Sequence, residues 1–262
     1  MTFKAAGFLS PDAETWRHNF VVGNTKLFDL VSELNTLAHN LASSTVLINS
    51  EKTAAENIIA IKLFCRSLSN FQGAVLLAQH GMTIESRTLI RSCLESSFFL
   101  GALSNDEYEL VERMLNDEYM NKKRFADGLR RQPNLLSTFD EEMLIGLEKI
   151  EQINGIPIAT KINYEELSRK AGMHEMYNVY RSLSGDAAHP TLSSLHQYSY
   201  PSEHKNEGAL LYPETDIERS KITVELACVI IVEACKAFND IARNSTFRDD
   251  LTIVIQKSHC QN

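Results

Sequence analysis

Residues 83–103, TIESRTLIRSCLESSFFLGAL, carry apolar side chains on nearly every face of the helix that their spacing predicts. Thr83 is suited to cap the start of this helix, which we expect to end at about Leu103. A helix that is hydrophobic almost all round is buried among other elements. We therefore expect this segment to be the central helix of the fold, with the rest of the chain packed around it.

Arg87, Arg91 and Glu95 recur at intervals of four along the predicted central helix and therefore lie along one side of it. Taking an ion out of water costs on the order of several kcal/mol, so each buried charge needs a partner. Arg91 can pair with Glu95, whereas Arg87 is repelled by Arg91 unless an anion or another carboxylate lies between them. This side is therefore either a pocket wall that binds a phosphate or carboxylate, or a buried ion-pair network that fixes helix packing.

The rest of the chain predicts further helices, most of them with recognisable start and stop signals. Ser10 and Pro11 form a favourable helix start, and sequences typical of capping boxes begin at Ser104, Thr138, Asn163 and Thr215. Combined with apolar residues at intervals of three and four residues, these signals predict helices at about 11–23, 25–47, 50–81, 84–103, 104–132, 138–155, 163–172, 174–183 and 215–244.

Strands have little support in this sequence, because no alternating run is bounded by Asn-Gly or Asp-Gly turns. Residues 190–213 are typical of an irregular loop with room for one helical turn, and residues 251–255 fit a strand, a short helix or a docking arm. The predicted fold is all-α, a single multi-helix bundle with long antiparallel helices. We expect one domain over 1–262, with N-terminal helices at 1–50, a core bundle at 51–244 and a tail at 245–262.

Composition and charge exclude several classes of protein. The net charge of −8 and pI near 5.5 argue against a protein that coats DNA through its overall field. No apolar stretch approaches the ~18 residues that a spanning helix needs, so we expect no membrane insertion. The five cysteines form no CxxC pair and fit reduced, buried thiols of a cytoplasmic protein. A basic run at Lys122–Arg124, followed by Arg130 and Arg131, is either a solvated face or a track for an RNA backbone.

A second polar stretch, residues 177–190, reads YNVYRSLSGDAAHP. Four of its residues share one side of a predicted helix, namely Tyr177, Tyr180, Arg181 and Ser184. We expect the helix to break at Gly185 and to be followed by Asp186 and His189. A histidine in a turn near a carboxylate is suited to proton transfer near neutral pH, and a nearby arginine can neutralise a phosphate. In the alternative interpretation, Tyr180 and Ser184 are ordinary interhelical hydrogen-bonding residues and His189-Pro190 forms a turn.

Metal and cofactor signatures do not occur in the sequence. There is no Glu-x-x-His motif, no zinc-type spacing of Cys and His, no glycine-rich phosphate loop and no Gly-x-Ser-x-Gly elbow. We therefore expect no metal site and no cofactor.

The two polar stretches together resemble a group of bacterial all-helical proteins of unassigned function. The resemblance rests on Arg91-Ser-Cys-Leu-Glu95, followed by Tyr180-Arg-Ser-Leu-Ser184-Gly-Asp-Ala-Ala-His189, and covers roughly residues 55–240. That group is similar in turn to the HEPN superfamily, whose helical domains often dimerise and cleave RNA without a metal. The HEPN pattern has four to six residues between its arginine and histidine, whereas seven separate Arg181 from His189. We expect Arg91 to supply the cation from the neighbouring helix.

The resemblance implies a HEPN-like fold core and a metal-independent endoribonuclease, plausible as a defence or toxin effector and acting as a homodimer on RNA. In this hypothesis His189 is the general acid or base, and Arg91 and Arg181 bind the scissile phosphate. The residues expected to bind or position the substrate are Arg87, Glu95, Tyr177, Tyr180, Ser184 and Asp186. The alternative hypothesis is a non-enzymatic helical sensor or scaffold that binds a nucleotide-like or acidic ligand, or a partner protein.

Overall fold

The computed structural model describes residues 6–44, 54–105, 107–131, 162–187, 192–195, 200–201, 209–210, 216–243 and 245–260. After a 3-10 turn at Gly7–Leu9, the helices are α1 Asp12–Gly23, α2 Thr25–Ser44, α3 Ala54–Gln79, α4 Thr83–Asn105, α5 Glu107–Arg130, α6 Tyr164–Lys170, α7 Met176–Ala187, α8 Leu192–Leu195, α9 Ile217–Ala242 and α10 Phe247–Cys260.

The fold is all-α, as the sequence predicts. Within the part of the chain that the structure describes, the sole β-ladder is one antiparallel pair, β1 Tyr200–Pro201 with β2 Ala209–Leu210. This short pair and α8 lie in the region predicted to be a loop. No helix among the described residues combines the length and apolar character that crossing a bilayer requires.

Helix α4 is central, as its all-round apolar sequence predicts. It packs against α3, α9, α7, α6 and α5. Its Leu94 and Phe98 are fully buried. Across the same core, Phe64 of α3 and Phe238 of α9 stack with ring centroids 4.3 Å apart. Burial of these large apolar side chains is the main favourable term that holds the helices together.

Two of the predicted helix starts can be compared with the caps in the structure. Asn163 caps α6, because its side chain accepts hydrogen bonds from the backbone N–H groups of Glu165 and Glu166. At α9 the cap is Asp216, one residue after the predicted Thr215, and its side chain accepts from the backbone N–H of Arg219. Aspartate and threonine are both good caps, so the sequence alone does not choose between neighbours. The helix expected at 138–155 lies outside the described residues.

The expected break at Gly185 is wrong, because α7 continues through it to Ala187. A glycine inside a helix costs only about 1 kcal/mol relative to alanine. Residues on either side of it, Ser184 and Asp186, are both bonded to arginines of α4, and these contacts hold the last turn in place. Asp186 therefore belongs to the helix instead of the turn that follows it.

The C-terminal segment, for which the sequence allowed a strand, a short helix or a docking arm, is helical. Helix α10 packs against α2, with Phe247, Leu251 and Val254 buried at intervals of four and three. This spacing places all three side chains on one face of a helix. The tail is therefore an amphipathic helix docked on the N-terminal part of the fold.

Three of the four cysteines whose side chains are described are buried, as expected, whereas Cys65 is exposed. Burial raises the pKa of the Cys93 and Cys228 thiols to about 12, and it also raises the pKa of Cys235. Because the thiolate is the reactive form, these three thiols are packing residues rather than nucleophiles.

Candidate functional site

The guanidinium of Arg91 lies at the centre of a polar network between α4 and α7. Its Nε donates to Ser184 Oγ at 2.9 Å, and its Nη2 donates to Tyr180 Oη at 3.0 Å. The same Nη2 lies 2.8 Å from Glu95 Oε1, and Tyr180 Oη donates to that carboxylate oxygen at 3.2 Å. Arg91, Tyr180 and Glu95 thus form a closed triangle in which the positive charge is neutralised. We call these three residues and Ser184 the Arg91 network.

A second ion pair lies one turn earlier on α4. Arg87 Nη1 pairs with Asp186 Oδ2 at the end of α7, and Arg87 Nε donates to Thr223 Oγ1 of α9 at 3.4 Å. The Arg87 and Asp186 side chains are 19% and 20% exposed, so solvent screens this pair only partly. Asp186 is the further carboxylate that relieves the repulsion expected between Arg87 and Arg91.

Aromatic rings surround the Arg91 network. The Tyr180 ring lies 5.2 Å from Tyr164 of α6 and 5.9 Å from Tyr177, and the edge-on ring of Phe98 lies 6.0 Å away. The Arg91 guanidinium is 5.1 Å from the Tyr180 ring centroid, within the range of a cation–π contact. Burial raises the pKa of Tyr180, and the negative charge of Glu95 raises it further, while Arg91 opposes both effects. Tyr180 is therefore a neutral hydrogen-bonding residue near pH 7.

A cleft of about 800 Å³ opens beside this network. It lies between α3, α4, α5 and the start of α6, and Glu95 and Tyr164 form part of its wall. Its apolar lining consists of Ile59, Leu63, Phe99, Met114, Leu115, Phe125 and Ile162. Its polar lining also includes Lys62, Arg66, Ser96, Asp117, Glu118, Asn121 and Lys122. The volume falls within the range of ~300–1,000 Å³ that is typical of small-molecule sites.

Residues 57–207 match the model of a family of unknown function, DUF5677. The chain belongs to this family. No curated protein and no solved structure has significant similarity to the chain. The region matched by the DUF5677 model contains both sides of the Arg91 network and the helices that line the cleft, whereas α9, which holds Thr223, lies beyond it.

The structure of this DUF5677 protein brings most of the predicted site residues together. The Arg91 network and its adjoining ring hold Arg91, Glu95, Tyr177, Tyr180 and Ser184, and a separate ion pair one turn away holds Arg87 and Asp186. Arg181 is not among them: its side chain is exposed, and no hydrogen bond or ion pair within the described residues involves it. It follows Tyr180 directly, and a step of one residue turns a side chain about 100° around the helix, away from α4. His189 lies outside the described residues.

Sequence reasoning missed Lys62 and Arg66, which line the cleft of this DUF5677 protein from α3. They are one turn apart, and Arg66 Nη2 lies 3.4 Å from Ser92 Oγ on α4. The signal was present as two cations four residues apart in a mostly apolar helix. The basic run at Lys122–Arg124 contributes only Lys122 to the cleft lining. No group of three or more His, Cys, Asp or Glu in the described part of the chain is arranged to hold a metal ion.

Alkaline titration provides a test of the tyrosine environment. Burial, followed by the negative charge of Glu95, raises the pKa of Tyr164 from 10.0 to about 12. Because the folded state holds this proton more tightly than the unfolded state, the resulting stability is complete below pH 10 and is lost as the pH rises towards 12. We expect absorbance at 295 nm to show a late-ionising tyrosine that is missing in Tyr164→Phe. An unchanged late phase in this variant would contradict the assignment.

Proposed function

We propose that this protein is a non-enzymatic helical sensor whose cleft binds an anionic small molecule with an apolar or aromatic body. The observation that carries the proposal is the cleft beside the Arg91 network, which combines apolar walls with Lys62 and Arg66. A site of this kind, mostly apolar with a few convergent polar groups, is the usual form of a ligand pocket.

The charges that line the cleft favour an anion. Within the described residues, Glu118 pairs with Lys122 in the same helix turn, and Glu95 pairs with Arg91. Neither Lys62 nor Arg66 forms an ion pair with a described residue. Asp117 is the remaining carboxylate, and it accepts a hydrogen bond from Asn121. The cleft therefore offers two cations against one carboxylate.

The walls of the cleft define the other part of the ligand. Phe99 and Tyr164 face each other edge to face, with ring centroids 6.3 Å apart. Met114 and the 57% exposed ring of Phe125 add further apolar surface from α5. A planar ring can bury its faces against such side chains while its acidic group reaches α3. A nucleotide or an aromatic carboxylate has this chemistry.

A thermal-shift experiment with adenosine monophosphate and with 2-naphthoate tests the proposal. A ligand that binds only the folded state raises Tm, and at about 100 times Kd it adds about 2.7 kcal/mol. We expect at least one probe to raise the Tm of the wild type, and Lys62→Ala/Arg66→Ala to abolish that rise. Lys26→Ala on α2 is the matched control, because it removes an exposed cation away from the cleft lining. No shift with either probe, or a shift that persists in the double variant, would refute the proposal.

A HEPN-like endoribonuclease is the second candidate, and the attachment of α7 to α4 favours it. Asp186 is bonded to Arg87 only three residues before His189. His189 thus follows in the sequence shortly after a helix end that is bonded to an arginine of α4. In this mechanism His189 moves a proton at the ribose 2′-hydroxyl or the leaving oxygen, and Arg91 and Arg181 hold the scissile phosphate, in a cytoplasmic homodimer.

The geometry favours the nuclease less than the sensor. Arg91 already has Glu95 as its counter-ion, so a phosphate competes with a carboxylate 2.8 Å away. Arg181 is exposed on α7 and is not part of the Arg91 network. Only a rearrangement at Glu95 would free the charge of Arg91 for a substrate.

RNA cleavage in EDTA distinguishes the two candidates. The nuclease hypothesis expects cleavage by the wild type and a loss of about 10²-fold or more in His189→Ala, the range that a general acid or base contributes. The matched control is His18→Ala, which changes an exposed histidine of α1. Cleavage that His189→Ala leaves intact, or no cleavage of structured or single-stranded RNA by the wild type, removes the nuclease hypothesis and leaves the sensor to the thermal-shift test.

A further inference from the structure

Helix α9 is apolar on two faces. One face is buried in the core, where Val224, Ile230 and Ile231 have no exposed surface. On the opposite face, Ile222 and Val229 are 45% and 50% exposed. A helix of a soluble protein usually pairs one apolar stripe with a polar outer face. The residues along the outer face of α9, which include these exposed apolar side chains and which we call the outer stripe, are therefore suited to bind a partner.

The outer stripe follows a spacing of four and three residues. Its members are Glu218, Ile222, Glu225, Val229, Val232 and Lys236. All six are exposed or half-buried, and the side chains of Glu225 and Lys236 are each 50% exposed. Alternating steps of four and three are the pattern by which one helix packs along another with a small crossing angle.

The outer stripe is self-complementary about Ala227. Glu218 and Lys236 each lie nine residues from Ala227, and Ile222 and Val232 each lie five residues from it. Ala227 itself is buried in the core, so the axis lies at its level along the helix but on the outer face, between Glu225 and Val229. In an antiparallel pair of α9 helices about this axis, each Glu218 faces a Lys236 and each Ile222 faces a Val232. An isologous interface requires this kind of self-matching surface.

Two further charges, Lys221 and Glu233, lie on opposite edges of the stripe and are paired within the chain. Within one chain Lys221 lies 4.0 Å from Glu225, and Lys236 lies 2.7 Å from Glu233. In a parallel pair, by contrast, each Glu218 and each Lys236 would face its own copy and like charges would meet. The charge order therefore selects the antiparallel arrangement.

We propose that α9 is a docking surface for a second copy of this chain, joined antiparallel through the outer stripe about Ala227. This inference is independent of the cleft, whose lining comes from α3 to α6 and from Ile162, two residues before α6. One helix pair buries less than the ~1,600 Å² of a standard interface, so the dimer is weak and forms at micromolar concentrations or above. The ion pairs at its ends set orientation and register more than affinity.

Glu225 is the one unfavourable residue in the outer stripe. In the antiparallel pair it faces Val229 of the second copy, and the two Glu225 carboxylates lie on either side of the axis, where like charges repel. Lys221 of the same chain offsets part of this charge. We expect Glu225→Leu to tighten the dimer about tenfold, since it removes the repulsion and adds apolar surface.

Sedimentation equilibrium over about 5–500 µM protein, the range expected for a small interface, tests the proposal. We expect a concentration-dependent dimer in the wild type and a monomer throughout in Val229→Glu. The matched control, Val22→Glu, introduces the same change at a 60% exposed valine of α1 and should leave the dimer intact.

Charge reversal tests the orientation. Glu218→Lys and Lys236→Glu should each weaken the dimer by about tenfold, because each creates two like-charge contacts across the axis. The double variant Glu218→Lys/Lys236→Glu should recover the wild-type dissociation constant. A wild type that stays monomeric, a dimer indifferent to Val229→Glu, or a double variant no better than its parents would overturn the proposal.

Discussion

Replacing Arg91 by alanine lowers the free energy of unfolding by about 3 kcal/mol, the expected cost of breaking a largely buried ion pair from one side. The substitution leaves the Glu95 carboxylate, whose side chain is 13% exposed, without its counter-ion. It also removes the donors to Ser184 Oγ and Tyr180 Oη. Urea denaturation followed by circular dichroism measures the change, with an unaltered m-value showing that the unfolding transition is the same.

A double variant separates two contributions to the free energy of unfolding: the cost of leaving the Glu95 carboxylate unpaired and the stabilisation by the Arg91 network itself. Arg91→Met/Glu95→Leu removes both charges and keeps apolar volume at both positions, so it should recover most of the stability lost in Arg91→Ala. Tyr180 Oη then keeps Ser184 as its polar neighbour. A double variant as unstable as Arg91→Ala would mean that the cavity, rather than the unpaired carboxylate, causes the loss.

Gly101→Val is expected to cost about 3 kcal/mol, because overpacking a tight helix contact is destabilising. Gly101 lies on α4 where the helix meets Ala171, the residue that follows α6. A Cβ atom at position 101 would lie 2.8 Å from the Cβ of Ala171 and 2.9 Å from its carbonyl oxygen. Neither atom belongs to a flexible side chain, so the chain at the end of α6 must move.

Gly128→Val on α5 is the matched control for this prediction. The same chemical change occurs within a helix, but nothing lies within 4 Å of the new Cβ. Its cost should be no more than about 0.5 kcal/mol, since valine is not a poorer helix former than glycine. Equal unfolding free energies for the two valine variants would show that the close contact between position 101 and Ala171 does not affect stability.

Apolar periodicity and turn residues predict the described helices well, because both are local properties of the sequence. The four-residue spacing of Arg91 and Glu95 predicted their ion pair, and the repulsion at Arg87 predicted a further carboxylate. That carboxylate is Asp186, which is 99 residues away in the chain, and only the packing of α7 on α4 identifies it. Long-range partners of this kind cannot be read from spacing.

Two features of α7, one wrong prediction and one unexpected exposure, are related to its packing on α4. The break expected at Gly185 does not occur, since bonds from neighbouring residues to α4 outweigh the local cost of a glycine. Arg181 appeared to share a helix side with Tyr180 and Ser184, but the line of contact with α4 is too narrow to include it. In both cases, the extent of α7 and the exposure of Arg181, the local sequence pattern is insufficient and tertiary packing determines the outcome.

The antiparallel polar contacts between α4 and α7 define the register of the two helices. Arg87 meets Asp186 and Arg91 meets Ser184, so the order of partners runs in opposite directions along the two helices. Sliding α7 by one turn, about 5.4 Å, would carry Asp186 to Arg91, which already has a carboxylate, and leave Arg87 without one. Apolar side chains tolerate such a slide more readily than charges do. The single aspartate at the end of α7 thus gives the bundle conformational uniqueness, a property distinct from its stability.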